Sequence, residues 1–116
     1  MNAFRLLLAA MIVVLLAYTG GVIAKEGLDY VTIARRDLSA MGWAGQFDSD
    51  FLMMLALSGL WVAWRHGFSP LGLVLGVVAF LGGVGFLAPY LLVISFANRG
   101  DIAAMLLGPR RAGAAA

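Results

Sequence analysis

Long uncharged apolar stretches alternate along the chain with short clusters of charged residues. The first stretch runs from Leu6 to Ala24, the second from Phe51 to Trp64, and the third from Phe68 to Asn98. A helix rises about 1.5 Å per residue, so about 20 apolar residues are needed to cross the hydrocarbon of a bilayer. The pattern therefore predicts a single all-α domain, an integral membrane bundle of three transmembrane helices.

The expected boundaries follow from the charges and the helix start and stop signals. In chain order they are a first transmembrane helix at about 5–24, an interfacial segment at 28–45, a second helix at about 46–64, a third at about 70–98, and a tail at 99–116. The interfacial segment is too apolar for a disordered loop and too charged to span. Ser69 and Pro70 form a helix start signal, and Pro89 is expected to bend the third helix near its end.

The two terminal segments each carry a further signal in the sequence. The first apolar stretch also resembles a secretory signal peptide, with Arg5 before the apolar run and small residues before Lys25. We interpret it as a retained helix. In the tail, residues 102–107 are expected to form a short interfacial turn, which a Gly-Pro pair ends and which Arg110 and Arg111 anchor to lipid headgroups.

Composition supports the membrane interpretation and excludes several functions. The chain is 63% hydrophobic with a mean hydropathy of +0.97, whereas soluble domains are about 45–50% apolar. The net charge of +2 comes from scattered basic residues that form no phosphate-binding stripe, so no nucleic-acid partner is expected. Without cysteine, and with His66 as the single histidine, neither a metal site nor another cofactor is predicted. His66 itself is interpreted as a solvated interface residue rather than a proton relay.

Asp50 is the main candidate for a binding or catalytic group, because a carboxylate near hydrocarbon is costly. With three crossings, Arg99 is its first expected partner and Lys25 its second. Gln46 and Tyr90 complete a predicted polar pocket at the same membrane face. The competing interpretation is that Asp50 starts a helix and interacts favourably with the helix dipole.

A row of small residues on the third helix predicts close helix packing. Its members fall on one helical face: Gly72, Gly76, Ala79 and Gly83. The packing partner can be another helix of this chain or another molecule. The simpler explanation is that glycine is common in membrane helices.

Three crossings also predict an orientation. They place one group of basic residues on one side, namely Lys25, Arg35, Arg36, Arg99, Arg110 and Arg111. Arg5 and Arg65 take the other side. The positive-inside rule then puts the C-terminus in the cytoplasm and the N-terminus outside. Rich usage of Ala, Gly and Arg suggests a bacterium, so the expected location is the bacterial inner membrane, crossed several times.

The order of several short motifs resembles a family of small bacterial membrane proteins, domain-of-unknown-function family twenty-eight thirty-four. The motifs are Glu26-Gly27-Leu28-Asp29, Asp50, Trp61-Val62-Ala63-Trp64-Arg65 and Leu87-Ala88-Pro89-Tyr90-Leu91-Leu92. The resemblance covers about residues 4–99 and implies three-helix membrane proteins with no assigned reaction. Asp50 and Pro89 match its recurring positions, and the longer tail departs from it.

Two classes of function follow from these patterns. The favoured one is a non-enzymatic accessory or structural subunit. It packs through the row of small residues described above, the Gly/Ala row. Its partners would be membrane lipids and a second copy or a larger membrane complex. The alternative is a binder or enzyme for an apolar molecule, such as a lipid or isoprenoid, with Asp50 as its polar group. A subunit of a small transporter is disfavoured, because three helices alone enclose no pathway.

Overall fold

The computed structural model describes residues 1–109 and 111–112. All regular secondary structure in this part of the chain is helical, which confirms the all-α prediction. The helices are α1 (Asn2–Glu26), α2 (Tyr30–Ala40), α3 (Trp43–Arg65), α4 (Pro70–Gly82), α5 (Val84–Ala97) and α6 (Ile102–Leu107). Arg110, predicted to anchor the tail, and residues 113–116 of the predicted tail lie outside the described residues.

Two of the helices are long and apolar enough to cross a membrane. These are α1, with 25 residues, and α3, with 23 residues. The helices α4 and α5 are apolar but shorter, with 13 and 14 residues. At about 1.5 Å per residue, each of them is about 20 Å long, against about 30 Å of hydrocarbon.

The stretch 70–98, predicted as one long helix, forms two helices separated at Gly83. Gly83 has φ 55° and ψ −137°, a conformation that glycine adopts readily and other residues do not. Pro89, where a bend was expected, lies inside α5. The prediction of a single helix is therefore corrected, because the break comes at the Gly82-Gly83 pair.

The helices α4 and α5 form a hairpin whose tip is Gly83. At this tip, a Cβ atom added to Gly83 would lie 3.2 Å from Leu55 Cδ2 of α3. Further along α5, the Tyr90 hydroxyl lies 2.8 Å from His66 Nε2, just after α3 ends. Thus α5 runs in the same direction as α3, and α4 runs back against both.

The helix α1 packs antiparallel to α5. Arg5 Nε donates a hydrogen bond of 3.0 Å to Ser95 Oγ, and a Cβ added to Gly85 would lie 3.7 Å from Leu15 Cδ2. From residue 5 to residue 15 of α1, the facing positions on α5 therefore run backwards from residue 95 to residue 85. The tip of the hairpin therefore lies beside the middle of α1, and the second half of α1 extends past it.

These directions define two ends of the bundle. The α6 end contains the start of α1, the turn between α3 and α4, the end of α5, and α6. The α2 end contains the end of α1, α2, and the start of α3. There α2 packs closely on α3, because Gly45 lies against the backbone of Asp37. The helix α2 lies within the predicted interfacial segment 28–45, and α6 lies within the predicted tail.

Candidate functional site

Arg65, the last residue of α3, lies at the centre of the α6 end and is only 9% exposed. Its Nε donates to the Met105 carbonyl at 2.6 Å, and its Nη2 to the Ala104 carbonyl at 3.2 Å. Its Nη1 donates to the Tyr90 hydroxyl at 3.1 Å. Arg65 thereby connects α3 to both α5 and α6.

The sequence around α6 allows this close approach. Asp101 caps α6 by accepting a hydrogen bond of 3.3 Å from the Ala104 amide. The helix ends at Gly108, which has φ 87°. A Cβ atom there would lie 2.8 Å from the Arg65 carbonyl oxygen, so only glycine fits without displacement. The Met105 carbonyl in the last turn of α6 is left for the guanidinium, and the Ala104 carbonyl also accepts a hydrogen bond of 2.9 Å from the Gly108 amide.

An aromatic cluster surrounds the Tyr90 ring. Trp61 meets the ring edge-on with centroids 6.0 Å apart, and Phe86 stacks on it at 5.4 Å. The Trp61 indole also donates a hydrogen bond of 3.0 Å to the Leu106 carbonyl of α6. Edge-on and stacked ring pairs add stability beyond simple burial. Together with Arg65, these rings fix the position of Tyr90 and of α6.

A groove of about 760 Å³ opens beside Arg65. Its lining residues are Arg65, His66, Gly67, Ile94, Ala97, Asn98, Leu107, Gly108, Pro109 and Arg111. Arg111 donates a hydrogen bond to the Trp64 carbonyl, and its guanidinium lies 4.1 Å from the centre of the Trp64 ring. Two arginines, Arg65 and Arg111, thus line the groove together with apolar residues.

His66 is half-buried in the groove wall and shares a hydrogen bond with Tyr90. Burial lowers the pKa of His66, and the neighbouring positive charge of Arg65 lowers this pKa further. His66 is therefore neutral at neutral pH and adds polarity, not charge, to the groove. His66, expected to be a solvated interface residue, thus remains partly exposed in the groove and is hydrogen-bonded to Tyr90.

The structure separates the predicted polar pocket into two places. Gln46 and Asp50 line a shallow groove between α2 and α3, and both are exposed. Tyr90 contacts Arg65, and Arg99 is exposed just after α5. At about 1.5 Å per residue, the part of α3 between Asp50 and Arg65 is about 22 Å long. Arg99 lies far from Asp50 because the break at Gly83 returns the chain to the α6 end.

The Gly/Ala row packs against α3 of the same chain. Gly72, Gly76 and Ala79 are buried, and a Cβ added to Gly76 would lie 2.8 Å from the Gly59 carbonyl. Gly83, the fourth member of the row, forms the hairpin tip against Leu55. Packing by these residues was predicted; their partner is the second long helix.

Arg65 and Arg111 were not predicted from the sequence as site residues. One signal was available, since Trp61 and Arg65 are four residues apart and share a helical face. Their contact with Tyr90 depends on the hairpin, which the apolar pattern does not reveal. Within the described residues, no group of three or more potential ligands is placed to hold a metal ion.

In comparisons with protein-family models, curated proteins and solved structures, nothing matches the chain. The resemblance to the uncharacterised family therefore remains a prediction.

Proposed function

We propose that this chain is an integral membrane protein with two crossing helices, α1 and α3, and a re-entrant hairpin formed by α4 and α5. The apolar exterior of the long helices carries this proposal. Only 6% of the most apolar window of α1 is buried, and 17% of that of α3. Contiguous apolar surface of this kind is unfavourable in water and favourable in lipid.

The re-entrant assignment rests on the length and chemistry of the hairpin. Both arms are shorter than the hydrocarbon thickness, and residues 80–87 around the tip have only apolar side chains or none. Irregular backbone at membrane depth must have its hydrogen bonds satisfied within the protein. Here the Gly83 amide donates to the Ala79 carbonyl at 3.0 Å, and the Gly83 carbonyl accepts from the Leu87 amide at 2.9 Å.

This arrangement places both described ends of the chain on one side of the membrane. Among the described residues, four basic side chains belong to the α6 end: Arg5, Arg65, Arg99 and Arg111. Three belong to the α2 end: Lys25, Arg35 and Arg36. The positive-inside rule then favours a cytoplasmic α6 end, and the membrane would be the inner membrane of a bacterium. The expected cytoplasmic C-terminus is kept in this proposal, and the N-terminus moves to the same side.

Within the membrane, we propose an accessory or structural role that uses the outer face of α1. The Gly/Ala row is already covered by α3, so it offers no surface to a partner. On α1, a Cβ added to Gly20 or Gly21 would have no atom within 4 Å apart from its chain neighbours and the backbone of its own helix. Adjacent small residues on an exposed membrane helix allow a second helix to approach closely. Asp50 is exposed and distant from Tyr90 and Arg99, so the geometry does not favour the alternative of an Asp50-centred site.

Assembly and membrane integration can be tested together. The protein is extracted from membranes in a mild detergent, and its mass is measured by native mass spectrometry. We expect resistance to carbonate extraction and a complex with a second copy or a membrane subunit. The double substitution Gly20→Ile and Gly21→Ile should dissociate this complex. As a matched control, Leu16→Ile changes an exposed side chain of α1 without adding volume. Carbonate extraction of the protein, or a complex unaffected by the glycine substitutions, would contradict the proposal.

A further inference from the structure

Arg65 lines the groove at the α6 end and carries a buried positive charge whose described hydrogen-bond partners are neutral. Arg65 is bound to two backbone carbonyls and to the Tyr90 hydroxyl. A buried cation is costly unless an opposite charge compensates it. An anion in the groove would provide that compensation.

Donors remain available for such an anion. A guanidinium has five N–H groups, and the bonds to Met105, Ala104 and Tyr90 use three of those on Arg65. Arg111 lines the same groove from the chain that follows α6. The groove volume of about 760 Å³ lies within the range of about 300–1,000 Å³ that is usual for small-molecule sites.

The walls of the groove indicate that the anion also has an apolar part. Ile94 and Ala97 line it from α5, and Leu107 lines it from α6. Trp61 and Trp64, on the last two turns of α3, belong to the residue types that collect at the boundary between hydrocarbon and headgroups. A phosphate with attached acyl chains matches both parts, since guanidinium groups bind phosphate oxygens well.

We propose that this groove binds an anionic phospholipid. Arg65 and Arg111 contact its phosphate, and Ile94, Ala97 and Leu107 contact the glycerol and the first acyl methylenes. The inference rests on the proposed membrane location, because the groove must lie at the headgroup level of a bilayer. The proposed phospholipid thus lies at the end of the protein opposite Asp50.

The test titrates detergent-purified protein with defined ligands and follows binding by native mass spectrometry. Phosphatidylglycerol should bind at least about tenfold more tightly than phosphatidylcholine, because only the former has a net negative charge. Glycerol 3-phosphate should bind at least about tenfold more weakly than phosphatidylglycerol, because it has no acyl chains to bury. Equal binding of the two lipids would overturn the proposal. Equal binding of glycerol 3-phosphate would show that a soluble phosphate, not a lipid, is the ligand.

Two substitutions that each remove one positive charge test whether the lipid binds in the groove. Arg111→Gln should weaken phosphatidylglycerol binding about tenfold, since a charge-assisted hydrogen bond is lost. Arg99→Gln removes the same charge from an exposed position outside the groove lining, and should leave binding within about twofold. Equal losses in both variants would mean that only net charge matters. An unchanged circular dichroism spectrum verifies that Arg111→Gln folds.

Arg65→Met provides a stricter test, although it also removes contacts with α6. It should abolish the preference for phosphatidylglycerol over phosphatidylcholine. Retention of that preference would overturn the role of Arg65. Carbonate extraction of native membranes tests the membrane location in a separate experiment. Protein that binds phosphatidylglycerol but is released by carbonate would contradict only the proposed membrane location. Protein that resists carbonate but shows no preference between the two lipids would contradict only the proposed lipid binding in the groove.

Discussion

The contact between α3 and α4 depends on two facing glycines, and this dependence can be measured. In Gly76→Ala, the new Cβ would lie 2.8 Å from the Gly59 carbonyl oxygen and 3.2 Å from the Ala63 Cβ. Both distances are shorter than ordinary van der Waals contact, and one of the atoms belongs to backbone. The two helices must therefore separate or shift along each other.

The magnitude follows from comparison with a second glycine in a different environment. Overpacking by a single methyl group costs about 1–3 kcal/mol. Replacement of glycine by alanine within a helix gains about 1 kcal/mol from propensity. Gly85→Ala receives this gain without overpacking, because its new Cβ would lie 3.7 Å from Leu15 Cδ2, an ordinary van der Waals distance. The propensity gain cancels in the comparison, so Gly76→Ala should be less stable than Gly85→Ala by about 1–3 kcal/mol.

The free energy of unfolding would be measured for both variants and the wild type by titration with a denaturing detergent. Tryptophan fluorescence is a suitable signal because Trp61 and Trp64 lie on α3. We expect Gly85→Ala at or above the stability of the wild type and Gly76→Ala below it. Equal stabilities of the two variants would refute the close contact, and with it the packing of α4 on α3.

Three further predictions concern the α6 end. By NMR, His66 should titrate with a pKa below its ordinary value, and Arg65→Met should restore this pKa only in part, because burial is the larger cause. Since the unfolded chain binds this proton more readily, the contribution of His66 to stability should fall as the pH falls through about 6.5. Trp61→Phe removes the hydrogen bond to the Leu106 carbonyl. The free energy of local opening measured by amide exchange in α6 should therefore fall by about 1 kcal/mol, and unchanged exchange would contradict this contact. Gly108→Ala should release α6 from α3 and increase its cleavage by protease, since its Cβ would meet the Arg65 carbonyl; protection equal to wild type would argue against this docking.

Local signals in the sequence predict several elements correctly. Ser69 caps α4, with its hydroxyl accepting a hydrogen bond of 3.1 Å from the Gly72 amide, and Pro70 begins the helix. The short helix Ile102–Leu107 ends at Gly108, as the Gly-Pro pair indicates. Such features depend on neighbouring residues alone, and the sequence displays them directly.

The hairpin could not be predicted in the same way. The run from Phe68 to Asn98 is uniformly apolar, and hydropathy does not distinguish one tilted helix from two short ones. The break depends on Gly83, whose positive φ is stabilised by packing against Leu55 and by its own backbone hydrogen bonds. This one residue moves Arg99 to the opposite end from Asp50. The candidate site at Arg65 was missed for the same reason, because Tyr90 reaches it only when the chain turns back.

The arrangement of the chain across the membrane can be measured most directly by single-cysteine labelling, since the protein has no cysteine of its own. Asn2→Cys, Ser39→Cys and Ile102→Cys place exposed thiols at the start of α1, on α2 and on α6. A membrane-impermeant maleimide is applied to intact cells and to inverted vesicles. Leu81→Cys, next to the hairpin tip, is labelled in parallel. We expect residues 2 and 102 to react from the same side, residue 39 from the opposite side, and residue 81 from neither. Reaction of residues 39 and 102 from one side, with residue 2 on the other, would establish three crossings and contradict the re-entrant hairpin.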